Sequence, residues 1–216
     1  RAERPELHDR AGRGTFQLRD DRPGADGLSK RKSFYHITHP QSSAAGCIRS
    51  SAAGCRCVYA AGRNVVKLKA RFAGAESVVK PVLYEALRPL EFNEPVDVVI
   101  HAASPAAPSD FMSAPGDTLI SNVMGLQELL TYATRCQVKK VVYVSSSEVY
   151  GIKNSEAPLT EDSYGIVDPV NPRSCYAEAK RAAEALCVAA HRQLGGDVSI
   201  VRPGHIYGRT AKPSDG

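Results

Sequence analysis

The run Val96-Asp97-Val98-Val99-Ile100-His101-Ala102-Ala103-Ser104-Pro105 decides the fold. It follows Pro95, is rich in β-branched residues as far as Ile100, and ends in small residues. A short continuous apolar run of this kind suits a strand of a parallel sheet, buried on both faces. Two more runs have the same form. Val141 to Val144 leads into Ser145-Ser146-Ser147-Glu148, and Val198 to Val201 leads into Arg202-Pro203-Gly204-His205. Helical patterns lie between them. Thr118 to Cys136 carries Leu119, Val123, Leu126, Leu130 and Ala133 as an apolar stripe, and Ser174 to Leu194 is closed by Gly195-Gly196. Upstream, Cys57 to Ala60 reads as a short strand, and Asn64 to Phe72 as a helix with Val65, Leu68 and Phe72 on one face. Alternating strands and helices give an α/β class, a doubly wound parallel sheet.

Composition narrows the function. The chain has 216 residues, 43% hydrophobic and 24% charged, as a globular domain does. No apolar run reaches the length that spans a bilayer, and no apolar stretch follows the arginine-rich start, so neither a membrane nor a secretory signal is expected. The net charge of +5 is drawn largely from the first fifty residues, where arginine is scattered without periodicity. That reads as a solvated basic stretch, not a nucleic-acid surface, since no aromatic residues are interleaved with it. The six cysteines form no CxxC pair and no zinc-ligand spacing, which predicts no metal site and reduced thiols in a cytoplasmic protein. Residues 1–57 read as an irregular segment, poorly packed against the sheet, with a near-repeat of SSAAGC at Ser42 and Ser50. Residues 58–216 read as the folded unit.

In doubly wound sheets, ligands sit beyond the carboxyl ends of the strands. Three such ends carry small or polar residues here: Ala102 to Ser104, Ser145 to Glu148, and Pro203 to His205. Tyr176 and Lys180 stand four apart on a helix and therefore share a face. A phenol titrates near ~10 in isolation, and a neighbouring ammonium lowers that value. Such a pair can take a proton from a sugar hydroxyl while hydride leaves the same carbon. The lysine can also hold the ribose of a nicotinamide cofactor.

The ordered motifs HAASP (101–105), NVMG (122–125), VSSSEVYG (144–151), PRSCYAEAKR (172–181) and VRPGHIYG (201–208) resemble the extended short-chain dehydrogenase/reductases, the NAD-dependent epimerase/dehydratase family. Within it they resemble the UDP-glucuronate decarboxylases and dTDP-glucose 4,6-dehydratases. The resemblance is firm from about Val96 to Gly208. It implies a Rossmann-like dinucleotide-binding domain, a nucleotide-sugar substrate, NAD as cofactor and a homodimeric full-length protein. It also implies roles. Tyr176 is the base that starts oxidation at C4 of the sugar, Lys180 its partner, and Ser146 the hydroxyl on the C4 oxygen. Glu148 is an acid/base carboxylate, and Glu178 matches a second glutamate of the decarboxylases. Ala102, Ala103, Ser104, Asn122, Ser145, Tyr176, Lys180, Pro203, Gly204 and His205 line the cofactor.

Two departures qualify the likeness. The dehydratases carry an aspartate directly before the glutamate; here that position is Ser147, as in the decarboxylases. The family also opens with a strand and a Gly-x-x-Gly-x-x-Gly turn whose amides receive the pyrophosphate. Gly12-Arg13-Gly14, Gly46 and Gly54 do not supply it, which points to a frameshifted or mispredicted start. Gly62-Arg63 stands where an acidic residue would bind the adenosine ribose, and an arginine there suits the 2′-phosphate of NADP. The family's C-terminal substrate domain is also missing before the last residue, Gly216, so the expectation is a fragment. Three functions are expected in order: a decarboxylase or dehydratase core, a 4-epimerase that needs Tyr176 and Lys180 but not Glu148, or a fragment that catalyses nothing. Lacking the glycine turn, this chain is expected to bind NAD weakly or not at all. Calorimetric titration checks this, and micromolar affinity would contradict it.

Overall fold

The computed structural model describes residues 15–17, 32–38, 55–105, 108–153 and 156–204. Seven strands form one sheet: β1 Thr15–Gln17, β2 Lys32–Thr38, β3 Cys55–Gly62, β4 Val79–Leu83, β5 Val98–Ala102, β6 Lys140–Val144 and β7 Val198–Val201. Their order is β1-β7-β6-β5-β2-β3-β4. Every pairing is parallel except that of β1 with β7. Among the described residues four α-helices accompany them: α1 Val65–Arg71, α2 Pro108–Ser113, α3 Pro115–Arg135 and α4 Cys175–Leu194. Leaving β1 aside, the chain runs outward from β2 to β3 and β4, then returns to add β5, β6 and β7 on the other side. The reversal lies between β2 and β5, where Thr38 is the register partner of Ala102. This is the doubly wound arrangement, with its ligand crevice at the switch point.

The three decisive runs form parallel strands as expected. Of the N-terminal segment expected to be irregular, residues 15–17, 32–38 and 55–57 are described and lie in strands; the rest of 1–57 lies outside the described residues. Within the segment β2 pairs on both sides, with β3 and β5, and β1 lies on the sheet edge. The run Phe34-Tyr35-His36-Ile37-Thr38 has the aromatic and β-branched composition of a strand. It is too short to stand out by periodicity among polar neighbours. Only the gap between β3 and β5 gives it a place.

Alternation along β3 divides the core. Cys57, Tyr59 and Ala61 face a large cluster with Val99, Val141, Tyr143, Val198 and Ile200, covered by Leu126, Leu129 and Leu130 of α3 and Ala183, Cys187 and Ala190 of α4. Val58 and Ala60 face the other side and pack with Leu68, Phe72 and Val79 around α1. On β5 and β6 only alternate residues are fully buried, so these strands are less evenly covered than their apolar runs suggest. The buried face of α3 carries Thr118, Asn122, Gly125, Leu126, Leu129, Leu130 and Ala133. Leu119, expected in the stripe, is 41% exposed. Leu126, Leu130 and Ala133 of that stripe are buried as expected, while in the first half of the helix the polar Thr118 and Asn122 point inward in place of Leu119 and Val123. Gly125 is needed for close approach, because a Cβ there would meet the Ala86 Cβ at 2.9 Å. Asn64 caps α1 by accepting from the Lys67 amide at 2.9 Å. Gly195, with φ of +70°, closes α4.

Between β6 and α4 the chain makes a 3₁₀ turn, Ser147–Tyr150, and an antiparallel bridge of Ile152 with Ile166. Arg181 of α4 fastens both limbs: its Nε donates to the Val149 carbonyl and its Nη2 to the Gly165 carbonyl, each at 2.8 Å. At Gly165 any Cβ would run into the Tyr150 and Ile152 carbonyl oxygens. Gly165→Ala should therefore cost about 1–3 kcal/mol of stability, the usual scale of overpacking, seen as a lower thermal midpoint. An unchanged midpoint would contradict the packing described.

Candidate active site

The carboxyl ends of β5, β6 and β7 meet the first half of α4. Tyr176, Lys180 and Glu184 are spaced by four and fall on one face of that helix, all three buried. Glu184 is the anchor. Its Oε1 accepts from the Ser145 hydroxyl at 2.6 Å and from Arg202 Nε at 2.9 Å, and its Oε2 accepts from Arg202 Nη2 at 2.6 Å. Arg202 also donates to the Glu161 carbonyl at 3.0 Å and lies 5.0 Å from the Tyr150 ring centroid. Ser145 directly follows β6 and Arg202 directly follows β7, so one carboxylate ties both strand ends to α4. The Ser145 amide donates to Val201 and the Ser147 amide to Pro203, at 2.8 and 2.9 Å, which continues the sheet into the motif loops.

Lys180 is 2% exposed. Its Nζ donates to the Val144 carbonyl at 2.9 Å and sits 4.9 Å from the Tyr143 ring centroid and 5.7 Å from that of Tyr176. Burial pushes its pKa down to about 7, against the nearby Glu184 and Cys187, which favour the charge. Beneath it lies His101 of β5, 1% exposed, its ring 5.8 Å from Tyr143. Burial, with the Lys180 charge second, holds His101 down at about 3, so the imidazole is neutral. Neither of its nitrogens has a hydrogen-bond partner among the described residues.

Tyr176 departs from expectation in its electrostatics. Burial raises its pKa above the ordinary phenol value, and Glu148 adds to this. The influences that lower it are the Ser146 hydroxyl and the Arg173 charge; Lys180 does not figure among them. The lysine is itself weakened by burial and turned to a backbone carbonyl. The Ser146 hydroxyl accepts from the Glu148 amide at 3.2 Å as the cap of the 3₁₀ turn. The Glu148 carboxylate is held by Arg173 in a two-pronged pair, Nη1 to Oε2 and Nη2 to Oε1, each at 2.8 Å.

The remaining expected residues divide. Ala102, Ala103 and Ser104 stand at the end of β5, at the switch point, with Ser104 Oγ donating to the Pro105 carbonyl at 3.1 Å. Asn122 is buried on α3; its amide donates to Thr118 at 2.8 Å, and its Oδ1 has no partner among the described residues. Ser145 spends its hydroxyl on Glu184. Pro203 and Gly204 extend β7, and His205 lies outside the described residues. Glu178 is not brought to the Tyr176 face: two residues on, a helix has turned about 200°, and it pairs with Arg181 at 3.7 Å. Sequence reasoning missed Glu184, Arg202, Arg173, Phe111 and His101 as site residues. Only Glu184 carried a local signal, the repeat of the four-residue spacing beyond Lys180.

A profile of the family described as "NAD dependent epimerase/dehydratase family" matches residues 84–216. The chain belongs to that family. It is 37% identical over 133 residues to UDP-glucuronic acid decarboxylase 1 of Danio rerio, covering 62% of this chain and 31% of that protein. It is 39% identical over 121 residues to UDP-glucuronic acid decarboxylase 6 of Arabidopsis thaliana, covering 56% and 35%. The chain thus spans about a third of the length of these relatives. Among solved structures, DesIV, the dTDP-glucose 4,6-dehydratase of Streptomyces venezuelae with NAD and TYD bound, superposes with a TM-score of 0.68 at 26% identity, over 83% of this chain and 58% of that one. UDP-glucuronic acid 4-epimerase from Bacillus cereus shares the fold, with a TM-score of 0.64 at 21% identity over 83% and 59%. Within this chain's sheet Arg63 directly follows β3.

The depressed Lys180 pKa has a consequence for stability. The unfolded chain holds the lysine proton up to about 10.4, while the folded chain releases it near 7. Between those values the unfolded state binds more protons, so stability should rise with pH. Below pH 7 the buried charge is present and its cost is constant. Lys180→Met should remove that rise, leaving a flatter thermal midpoint between pH 7 and 9. An identical pH profile in the variant would contradict the assignment.

Proposed function

We propose that this chain is the catalytic part of an NAD-dependent nucleotide-sugar enzyme that oxidises C4 transiently and acts as a decarboxylase. The observation that carries the reading is Ser146, whose hydroxyl caps the turn holding Glu148 and also lowers the Tyr176 pKa. An alcohol-activating base and an acid/base carboxylate are thereby organised by one hydroxyl. Likeness to the UDP-glucuronic acid decarboxylases supports the substrate class. Ser147 favours decarboxylation over dehydration, since no acid stands there to protonate a leaving hydroxyl.

The residues at the switch point suit a nicotinamide and its ribose: small side chains at Ala102 and Ala103, and a buried amine at Lys180. NAD, when bound, accepts the hydride that leaves C4 and returns it at the end. The side chains act on protons. Ser146 holds the C4 oxygen, and Tyr176 accepts its proton with Lys180 holding the ribose beside it. With C4 a ketone, loss of the C5 carboxylate as carbon dioxide leaves an enolate stabilised by that ketone. Glu148 then manages the proton at C5 before C4 is reduced.

Leu119, Ile120 and Met124 expose apolar surface on α3, which supports a homodimer of the full-length protein. Among the described residues no helix is long and apolar enough to cross a membrane. Free Cys57, Cys136, Cys175 and Cys187 support a reducing, cytoplasmic setting.

In the protein at full natural length, Tyr176→Phe should abolish sugar oxidation. Glu148→Gln should lower turnover by roughly 10²-fold or more, the scale of a positioned acid/base group. Epimerisation of UDP-sugars that survives Glu148→Gln, without decarboxylated product, would replace this reading with a 4-epimerase.

A further inference from the structure

Arg173 has no role in the reaction as described above, yet it touches both groups that do. It lies in the 3₁₀ turn Pro172–Ser174 that leads into α4. The turn is fixed locally: the Arg173 amide donates to Asn171 Oδ1 and the Ser174 amide to the Asn171 carbonyl, both at 2.9 Å. On one side the guanidinium forks onto both oxygens of Glu148. Its carbon lies 4.5 Å from the ring centroid of Phe111, which is 1% exposed. Phe111 in turn stacks on Tyr176, with centroids 5.1 Å apart and planes inclined by 14°. Cys175 Sγ donates to the Phe111 carbonyl at 3.6 Å and closes the unit.

We propose that Arg173 is a positioning residue: through the fork to Glu148 and the stack over Phe111 onto Tyr176, it holds the acid/base carboxylate and the phenol in one fixed relation. The proposal rests on the acid/base reading of those two residues given above. A partly exposed ion pair by itself contributes little. Two features set this one apart. A two-pronged pair fixes the plane of the carboxylate, while each oxygen keeps a lone pair for a substrate proton. A cation seated on an aromatic ring that itself stacks on Tyr176 also transmits position. Lysine would supply the charge but not the fork. A carboxylate placed in this way before substrate arrives needs no reorganisation during the reaction.

The test is a two-by-two cycle of Glu148→Gln and Arg173→Met, with Arg173→Lys as the conservative variant. Turnover is measured in the protein at full natural length. The Cζ resonance of Tyr176, assigned with Tyr176→Phe, is titrated in this chain without ligand. Each single variant should lose roughly 10²-fold in turnover, the scale of misplacing a reacting group, and the double variant should lose little more than either. Arg173→Met should move the phenol titration to higher pH, Glu148→Gln should move it to lower pH, and Arg173→Lys should restore the titration better than the turnover. Arg173→Met turnover within about twofold of wild type, or losses that multiply to roughly 10⁴-fold, would overturn the proposal. If Glu148→Gln leaves turnover unchanged, the acid/base reading falls. The titration then decides on Arg173 alone: opposite shifts uphold its positioning role, and no shift in either variant overturns it.

Discussion

A buried carboxylate with three donors organises this molecule's working end. Glu184 accepts from Ser145 and twice from Arg202, and these residues directly follow two neighbouring strands. Taking both charges out of water is costly, and only close geometry with every lone pair used offsets that cost. Such a pair adds little net stability against an apolar substitute, but breaking it leaves an unpaired buried charge and costs about 3–5 kcal/mol. The return is in placement. With β6 and β7 pinned to α4, Ser146 must face Tyr176, and the Ser147–Tyr150 turn must bring Glu148 beside Arg173.

Stability and chemistry are opposed at Lys180. Around it lie the Tyr143 ring, Glu184 and Cys187, which favour the ammonium, but burial outweighs them and the lysine is discharged far more easily than in water. A residue chosen for stability there would be apolar. Retaining lysine makes sense if its charge and donors are used when a ribose arrives. The neutral His101 alongside fits this: a second cation under Lys180 would discharge it further, and burial prevents that.

The sheet was largely legible in the sequence. Runs such as Val98–Ala102 and Val198–Val201 are buried parallel strands, and such strands announce themselves by continuous apolar composition. β2 was not legible, because seven residues with polar neighbours carry no period, and their place is set by pairing on both sides. The inward face of α3 was legible at Leu126, Leu130 and Ala133 but not in the first half of the helix, where Thr118 and Asn122 face the core in place of Leu119 and Val123. At the site, the spacing of Tyr176 and Lys180 was visible because a helix converts spacing into a shared face. Contacts between distant segments were not visible. Phe111 and Tyr176, or Glu148 and Arg173, meet only once the loops are folded, and Glu178 looked equivalent to its neighbours until helical geometry turned it outward.

The central claim is that the Glu184 carboxylate holds the motif loops to α4. Residue-resolved amide exchange in Glu184→Gln, compared with the unsubstituted chain, tests it most directly. The amides of Ser145 and Ser147, which donate to Val201 and Pro203, should lose protection while those of Val141 to Tyr143 within β6 keep theirs. Equal protection of Ser145 and Ser147 in both proteins would contradict the account.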